Sequence, residues 1–186
     1  MNYNIIMLGT DLESIQNIST TLIDSTKLNK TISIFDIRKK YNNTKISTEY
    51  FSKSLFYEEI ENSTDTNNII IPDDILNFNI NYIHDYIYFL PRTKFYLCIV
   101  KDSYPDYTNN FKKEMIYKRK YRIPKELTQQ IVVDAVTYRS KIDNLLWDEK
   151  RFKYVNINKS DDSYNQIIKF TEFCVENNID LIEEGN

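Results

Sequence analysis

The chain has 186 residues, of which 41% are hydrophobic and 27% are charged, and its net charge is −3. This length and composition predict a single globular domain spanning residues 1–186, and they exclude a disordered chain. One histidine and two cysteines make His-rich zinc sites, a Ser-His-Asp triad and a disulfide framework hard to build, so we expect no metal site.

Patterns tied to cellular location point to an intracellular protein. No apolar run reaches the roughly 20 residues of a membrane-spanning helix, and no basic region precedes a signal-peptide core. We therefore expect a cytoplasmic or virion-associated protein that is neither secreted nor membrane-bound. Cys98 and Cys174 fall in apolar patterns and are predicted to be free core thiols, and His84 is predicted to be a packing or surface residue of a helix. Abundant Asn, Ile, Lys and Tyr are typical of an AT-rich genome, such as that of a phage, another virus or a low-GC bacterium.

The first half of the chain predicts alternating strands and helices. An apolar strand over Tyr3–Leu8 is ended by Gly9, and Thr10 and Glu13 have the spacing of a capping box at the start of a helix. That helix has apolar residues at helical spacing, namely Leu12, Ile15, Ile18, Leu22 and Ile23. A second strand is predicted over Thr31–Ile37, followed by a polar turn and by a helix over Ser47–Glu61.

The second half continues the alternation. A third strand begins near Asn68 and is ended by Pro72, and apolar residues from Ile80 to Leu90 predict a short helix. Thr93–Val100 is an almost continuous apolar run, which is typical of a central strand in a parallel sheet. A long helix over 126–150, a strand over Phe152–Ile157 and a final helix carrying Ile167, Thr171 and Cys174 complete the order. The sequence therefore predicts a three-layer α/β domain around a largely parallel five-stranded sheet.

This order of elements resembles the nucleoside and nucleotide kinase branch of the P-loop fold. The resemblance rests on the opening strand-loop-helix, the strand ending in "IIIPDD", and the apolar fourth strand followed by a basic segment. The closing "FKYVNINKSDDSYNQIIKF" fits a final strand, polar turn and helix. The resemblance implies a phosphate-binding loop after the first strand, together with ATP and Mg²⁺ as cofactors if the protein is an active kinase.

The phosphate loop departs from the motif of that family. When G-x-x-x-x-G-K-[ST] is aligned from Gly9, Ser14 takes the second glycine, Ile15 the lysine and Gln16 the Mg²⁺-binding hydroxyl. The candidate nucleotide-binding residues of this loop are therefore Gly9, Thr10, Ser14 and Gln16. Ile15 cannot contact phosphate, and Asp11 and Glu13 add negative charge where a polyphosphate would bind. We therefore predict no bound cofactor.

Two further groups of residues could carry chemistry. Asp73 and Asp74 follow the third strand and could bind Mg²⁺ or act as a base, although "PDD" is also an ordinary helix N-cap signal. A lid-like segment at about 103–125 is basic, and its Arg119 and Arg122 are candidates for binding phosphate. The same patch, interleaved with tyrosines, also suits nucleic acid or an acidic protein surface, or could be a solvated helix face. Its members are Lys112, Lys113, Lys118, Arg119, Lys120, Arg122 and Lys125.

Three functional hypotheses follow. The first is a catalytically degenerate kinase-like domain, not an enzyme, that acts as a binding, scaffolding or structural component, for example of a phage or other virus, through a protein partner or self-association. The second is an active nucleotide or small-molecule phosphotransferase with an atypical phosphate loop. The third is a nucleic-acid-associated protein that uses the basic patch, against which the overall acidity argues.

Overall fold

A five-stranded parallel sheet lies at the centre of the part of the chain that the computed structural model describes, which is residues 2–9, 12–40, 49–72, 94–101 and 153–183. The strands are β1 (Tyr3–Leu8), β2 (Lys30–Ser33), β3 (Asn68–Ile71), β4 (Lys94–Lys101) and β5 (Tyr154–Asn158). They lie in the order β2-β3-β1-β4-β5, and every neighbouring pair is parallel. The predicted α/β class with a parallel five-stranded sheet is confirmed.

Helices cover both sides of this sheet. They are α1 (Leu12–Ser25), α2 (Ile34–Lys40), α3 (Glu49–Glu61) and α4 (Ser163–Glu176). Alternate strand residues, such as Ile5 and Met7, pack with α1 and α4 in one core cluster, which also includes Ile15 and Phe170. On the other side of the sheet, α2 and α3 contact β2 and each other. This is the three-layer arrangement that buried parallel strands require.

The second predicted strand was wrong in extent. The strand ends at Ser33, and the apolar residues after it begin α2 instead of continuing to Ile37. The Ser33 hydroxyl accepts a hydrogen bond from the backbone N–H of Asp36 at 3.4 Å, which is the role of a helix N-cap. Ile34 and Ile37 are both buried and lie three residues apart. Residues at this spacing share one face of a helix but point to opposite faces of a strand.

Buried amides fix the amino ends of the two neighbouring strands β1 and β3. The Asn68 side chain donates to Oδ1 of Asn4 at 2.9 Å and to the carbonyl oxygen of Ser63 at 2.9 Å. Its own Oδ1 accepts from the Thr66 hydroxyl at 2.7 Å. Asn4 and Asn68 are 1% and 0% exposed, so these bonds satisfy polar groups that would otherwise be costly to bury.

The segment after α4 closes the core. The backbone N–H of Asn177 donates to the carbonyl of Phe173 at 3.1 Å, and Asn178 has a φ of 54° that reverses the chain. Ile179 and Leu181 are then buried, and the Leu181 carbonyl accepts from the backbone N–H of Lys27 at 2.8 Å. The end of α1 is therefore held by residues from the far end of the chain.

Candidate phosphate-loop site

The carboxyl ends of β1, β3 and β4 mark the place where this type of sheet binds ligands. After β1 the chain crosses to β2 and then β3, which lie in one direction along the strand order. It then passes to β4, which lies next to β1 in the opposite direction. In open parallel sheets, ligands bind outside the carboxyl ends of the strands at such a change of direction. Gly9 follows β1 directly at this position, so the sequence-predicted loop and the topological site coincide.

The connection between β1 and α1 is short. The strand ends at Leu8 and the helix begins at Leu12, which leaves three residues between them. A phosphate loop has the order strand, GxxxxGK[ST], helix, with the glycine-rich part forming the cradle between the two elements. Here the positions of the second glycine, the lysine and the hydroxyl, which are Ser14, Ile15 and Gln16, all lie within α1.

Ile15 packs into the core at the position where the family has its lysine. It is 4% exposed and belongs to the core cluster with Val100. A Cβ built on Gly9 would lie 3.1 Å from Cδ1 of Ile15 and 3.2 Å from Cβ of Val100. These separations are tighter than ordinary carbon contacts of 3.5–4.0 Å. Close packing therefore explains why position 9 is a glycine, and a bound phosphate is not needed to explain it.

The remaining described residues of the loop alignment lie in the first two turns of α1. Ser14 and Gln16 are partly buried, and Glu13 is exposed in the first turn. An acidic side chain there interacts favourably with the positive end of the helix dipole, which is the interaction that a bound anion would otherwise make. Thr10 and Asp11 lie outside the described residues, so the predicted capping box stays a prediction.

The other predicted site residues also lie outside the described part of the chain. These are Asp73, Asp74, His84 and the whole basic segment, including Arg119 and Arg122. Within the described ranges, no group of three or more His, Cys, Asp or Glu side chains is placed to hold a metal ion. In the same ranges, no helix is long and apolar enough to cross a membrane.

Both cysteines are buried, free thiols, as predicted. Burial raises the pKa of the Cys98 thiol from its usual 9.0 to about 12, and the nearby Cys174 thiol contributes to that rise. Burial also raises the pKa of Cys174 to about 12. Since the thiolate is the reactive form, both side chains behave as apolar core residues at neutral pH.

A cleft that sequence reasoning did not predict lies between α2 and α3. Its volume is about 370 Å³. Two of its lining residues mark the amino ends of strands, because Lys30 is the first residue of β2 and Ser63 comes shortly before β3. It is therefore remote from the carboxyl ends where the phosphate loop belongs. Nζ of Lys30 lies 3.8 Å from Oε1 of Glu59. This ion pair compensates part of the charge that lines the cleft. Its lining residues are Lys30, Ile37, Lys40, Leu55, Glu58, Glu59, Asn62 and Ser63.

Several solved structures share this architecture over nearly their whole length. Shikimate kinase from Bacteroides thetaiotaomicron has a TM-score of 0.56 and 14% identity, with 93% of this chain and 98% of that chain covered. A sugar kinase from a Janibacter species has a TM-score of 0.54 and 12% identity, with 94% and 95% covered. The tunicamycin resistance protein of Deinococcus radiodurans has a TM-score of 0.54 and 8% identity, with 98% and 99% covered.

Sequence comparison adds no closer relative. The sequence matches no protein-family model and no curated protein. At identities of 8% to 14% the structural likeness concerns the fold alone. The sheet order, the parallel strands and this likeness together show that the chain has a P-loop kinase-like α/β fold.

Proposed function

We propose that this protein is a catalytically degenerate kinase-like domain that acts as a binding, scaffolding or structural component. The observation that carries the proposal is the position of Ile15, whose side chain is 4% exposed and packs against Gly9 at the place of the family's lysine. Phosphoryl transfer depends on positioning and on charge stabilisation around the phosphates. A buried isoleucine supplies neither of these.

The length of the loop supports the same proposal. Only three residues separate β1 from α1, so the aligned second-glycine position, Ser14, lies in the first turn of α1. The aligned lysine and hydroxyl positions, Ile15 and Gln16, follow it within the same helix. Restoring a lysine by substitution would leave the cradle missing. The departure from the kinase motif therefore includes loop geometry as well as residue type.

The expected setting of this function is the cytoplasm or a virion, for example in a phage or another viral assembly. Two buried thiols without a disulfide fit a reducing compartment. The AT-rich residue usage fits a viral or low-GC genome. A protein partner or self-association then takes the place of a small-molecule substrate.

A thermal-shift titration of the full chain with ATP and GTP, each with Mg²⁺, tests the proposal. A ligand that binds only the folded state at 100 times its Kd adds about 2.7 kcal/mol, which is a shift of several degrees. We expect no shift with either nucleotide. A saturable shift that Arg119→Ala or Arg122→Ala removes would overturn the proposal in favour of a phosphotransferase with relocated phosphate contacts.

The same titration with a short single-stranded DNA addresses the basic patch. A nucleic-acid-binding protein would show a shift that weakens as salt rises, because binding releases counterions from the phosphates. We expect no such shift. A salt-dependent shift that disappears when Lys118 and Lys120 are replaced by alanine would identify the protein as a nucleic-acid-associated one.

A further inference from the structure

The outer side of α4 has a row of mainly apolar side chains, called here the apolar row, in which three hydrophobic residues are joined by one threonine. Tyr164 and Val175 are 71% and 68% exposed, and they are two of the three large hydrophobic side chains exposed in the described part of the chain. Ile168 and Thr171, which are partly exposed, lie between them. Successive spacings of four, three and four residues place all four side chains on one side of a helix. This is the spacing with which a helix presents a seam to another element.

Acidic residues border this row. Glu172 and Glu176 are exposed and lie on the side of α4 next to Ile168. Beyond the helix, Asp180 is paired with the Lys27 ammonium at 2.9 Å, so the border rests on the two helix glutamates. Lys169 is the one basic residue between positions 163 and 183. The Lys169 ammonium already pairs with Asp161 at 2.7 Å. We call the apolar row and its acidic border the α4 face.

The complementary chemistry is present in the same sequence. The segment 112–125 has seven basic residues and one acidic residue, interleaved with Ile116, Tyr117 and Tyr121. It therefore offers positive charge and apolar side chains together, which matches the negative border and apolar row of the α4 face. Two α4 faces placed against each other would instead bring Glu172 and Glu176 near acidic residues of the second copy.

We infer that the α4 face of one copy binds the basic segment 112–125 of a second copy. This inference rests on the proposed scaffolding role and names the partner for it. The two contacting surfaces differ, so the contact is heterologous. A bound pair still offers one free α4 face and one free basic segment, each on a different copy. Repeated contacts of this type build a ring or an open chain of copies.

Analytical ultracentrifugation of the full chain tests the inference across a concentration series at two ionic strengths. Raising the ionic strength from about 0.01 M to about 1 M shortens the Debye length from about 30 Å to about 3 Å. We expect a mass that grows with concentration at low salt and falls at high salt. Excess free peptide with the sequence of residues 112–125 should return the protein to monomer.

Charge reversals separate the α4 face from general electrostatics. Glu172→Lys with Glu176→Lys should weaken the association about tenfold or more, because attraction becomes repulsion at two positions. Glu58→Lys with Glu61→Lys, on exposed positions of α3 on the other side of the sheet, makes the same charge change and should leave it intact. A protein with Arg119→Glu and Arg122→Glu carries the reversed charge on the basic segment. Mixing it with the Glu172→Lys, Glu176→Lys protein should restore association, because opposite charges again face each other.

Either of two results would overturn the inference: a monomer at every concentration in low salt, or an association that the α4 charge reversal does not weaken. Neither result bears on the nucleotide titration, which remains the separate test of catalytic degeneracy. Circular dichroism of each variant confirms that a change in mass does not come from unfolding.

Discussion

The Cδ1 atom of Ile15 lies 3.1 Å from the point that a Cβ would occupy on Gly9, so α1 packs directly against the end of β1. One contact thus joins the first residue of the aligned loop motif to the residue at its lysine position. In a working phosphate loop, the backbone N–H groups between these two positions cradle the phosphates and the lysine reaches them. Here they are neighbours in a hydrophobic core.

Gly9→Ala should destabilise the protein by about 1–3 kcal/mol, because the added methyl group overpacks the contact with Ile15 and Val100. Ile15→Val removes Cδ1, the nearest of the three close atoms, and so relieves part of the overpacking, while Cγ1 and the Cβ of Val100 stay at 3.2 Å. The double variant should therefore lose less stability than the two single variants together, with a coupling of about 0.5 kcal/mol or more. Urea denaturation of all four proteins measures this cycle. Strict additivity would show that the two residues do not contact each other.

Ile15→Lys should fail to create a nucleotide site. The substitution buries an ammonium in the core at a position that is 4% exposed, which should cost at least ~2 kcal/mol. Asn17→Lys, at an exposed position of the same helix, serves as the matched control and should change stability by less than about 0.5 kcal/mol. Thermal denaturation with and without ATP and Mg²⁺ reads out both effects. A stable Ile15→Lys protein that binds ATP would contradict the structural account of the loop.

Asn68→Ala should cost about 1–3 kcal/mol, because it removes the donor that the buried Oδ1 of Asn4 accepts from. The Thr66 hydroxyl keeps its second acceptor, the carbonyl oxygen of Ser63 at 3.1 Å. Asn29 offers a comparison, since it is an exposed asparagine whose Oδ1 accepts from the backbone N–H of Asn67 at 3.1 Å. Asn29→Ala should be the milder change in chemical denaturation. Equal losses in the free energy of unfolding would show that breaking the buried bond between Asn4 and Asn68 costs no more than breaking an exposed one.

The two thiols should make the protein less stable in alkali. Their pKa values rise from 9.0 to about 12 on folding, so between these pH values the unfolded chain releases protons that the folded chain keeps. The free energy of unfolding therefore falls as pH rises, by up to about 1.4 kcal/mol per pH unit for each thiol. Below pH 9 this contribution is constant.

Urea denaturation at several pH values from 8 to 11 measures that slope, with a Cys98→Ala, Cys174→Ala protein as the control. Tyrosines and lysines titrate in the same range, so the relevant quantity is the difference in slope between the two proteins. A parallel pair of curves would show that the thiols are not differentially buried in the folded state.

Much of the architecture could be predicted because short apolar runs and the residues that end them indicate strands without ambiguity. Continuous apolar runs such as Ile69–Ile71 are typical of strands buried on both faces, and Pro72 ends that run. The start of α2 could not be predicted in the same way, since Ile34 and Ile37 satisfy a helix and Ser33 serves as either a strand residue or a cap. The sheet order was also beyond reach, because pairing between β1 and β4 joins residues about 90 positions apart.

The candidate site likewise has features that the sequence predicted and features that it did not. The absence of the motif's lysine was visible in the sequence, and helical periodicity predicted that Ile15 faces the core. The length of the connection was not visible, since "GTDLE" does not reveal which residue begins the helix. Nor did the sequence indicate that Val100, from β4, closes over Gly9, because that contact depends on the sheet order.

The closing segment after α4 has a consequence for how the protein is made. β1 is the central strand, yet it pairs with residues first reached at Asn68 and Lys94, and the end of α1 awaits the carbonyl of Leu181. Both edges of β1 can therefore pair once synthesis has passed Lys101, whereas the bond from Lys27 to the Leu181 carbonyl forms only after Leu181 has been made. Nascent chains stopped before α4 should expose the apolar side of the sheet that α4 covers and should engage chaperones, whereas chains that include Leu181 should engage them less.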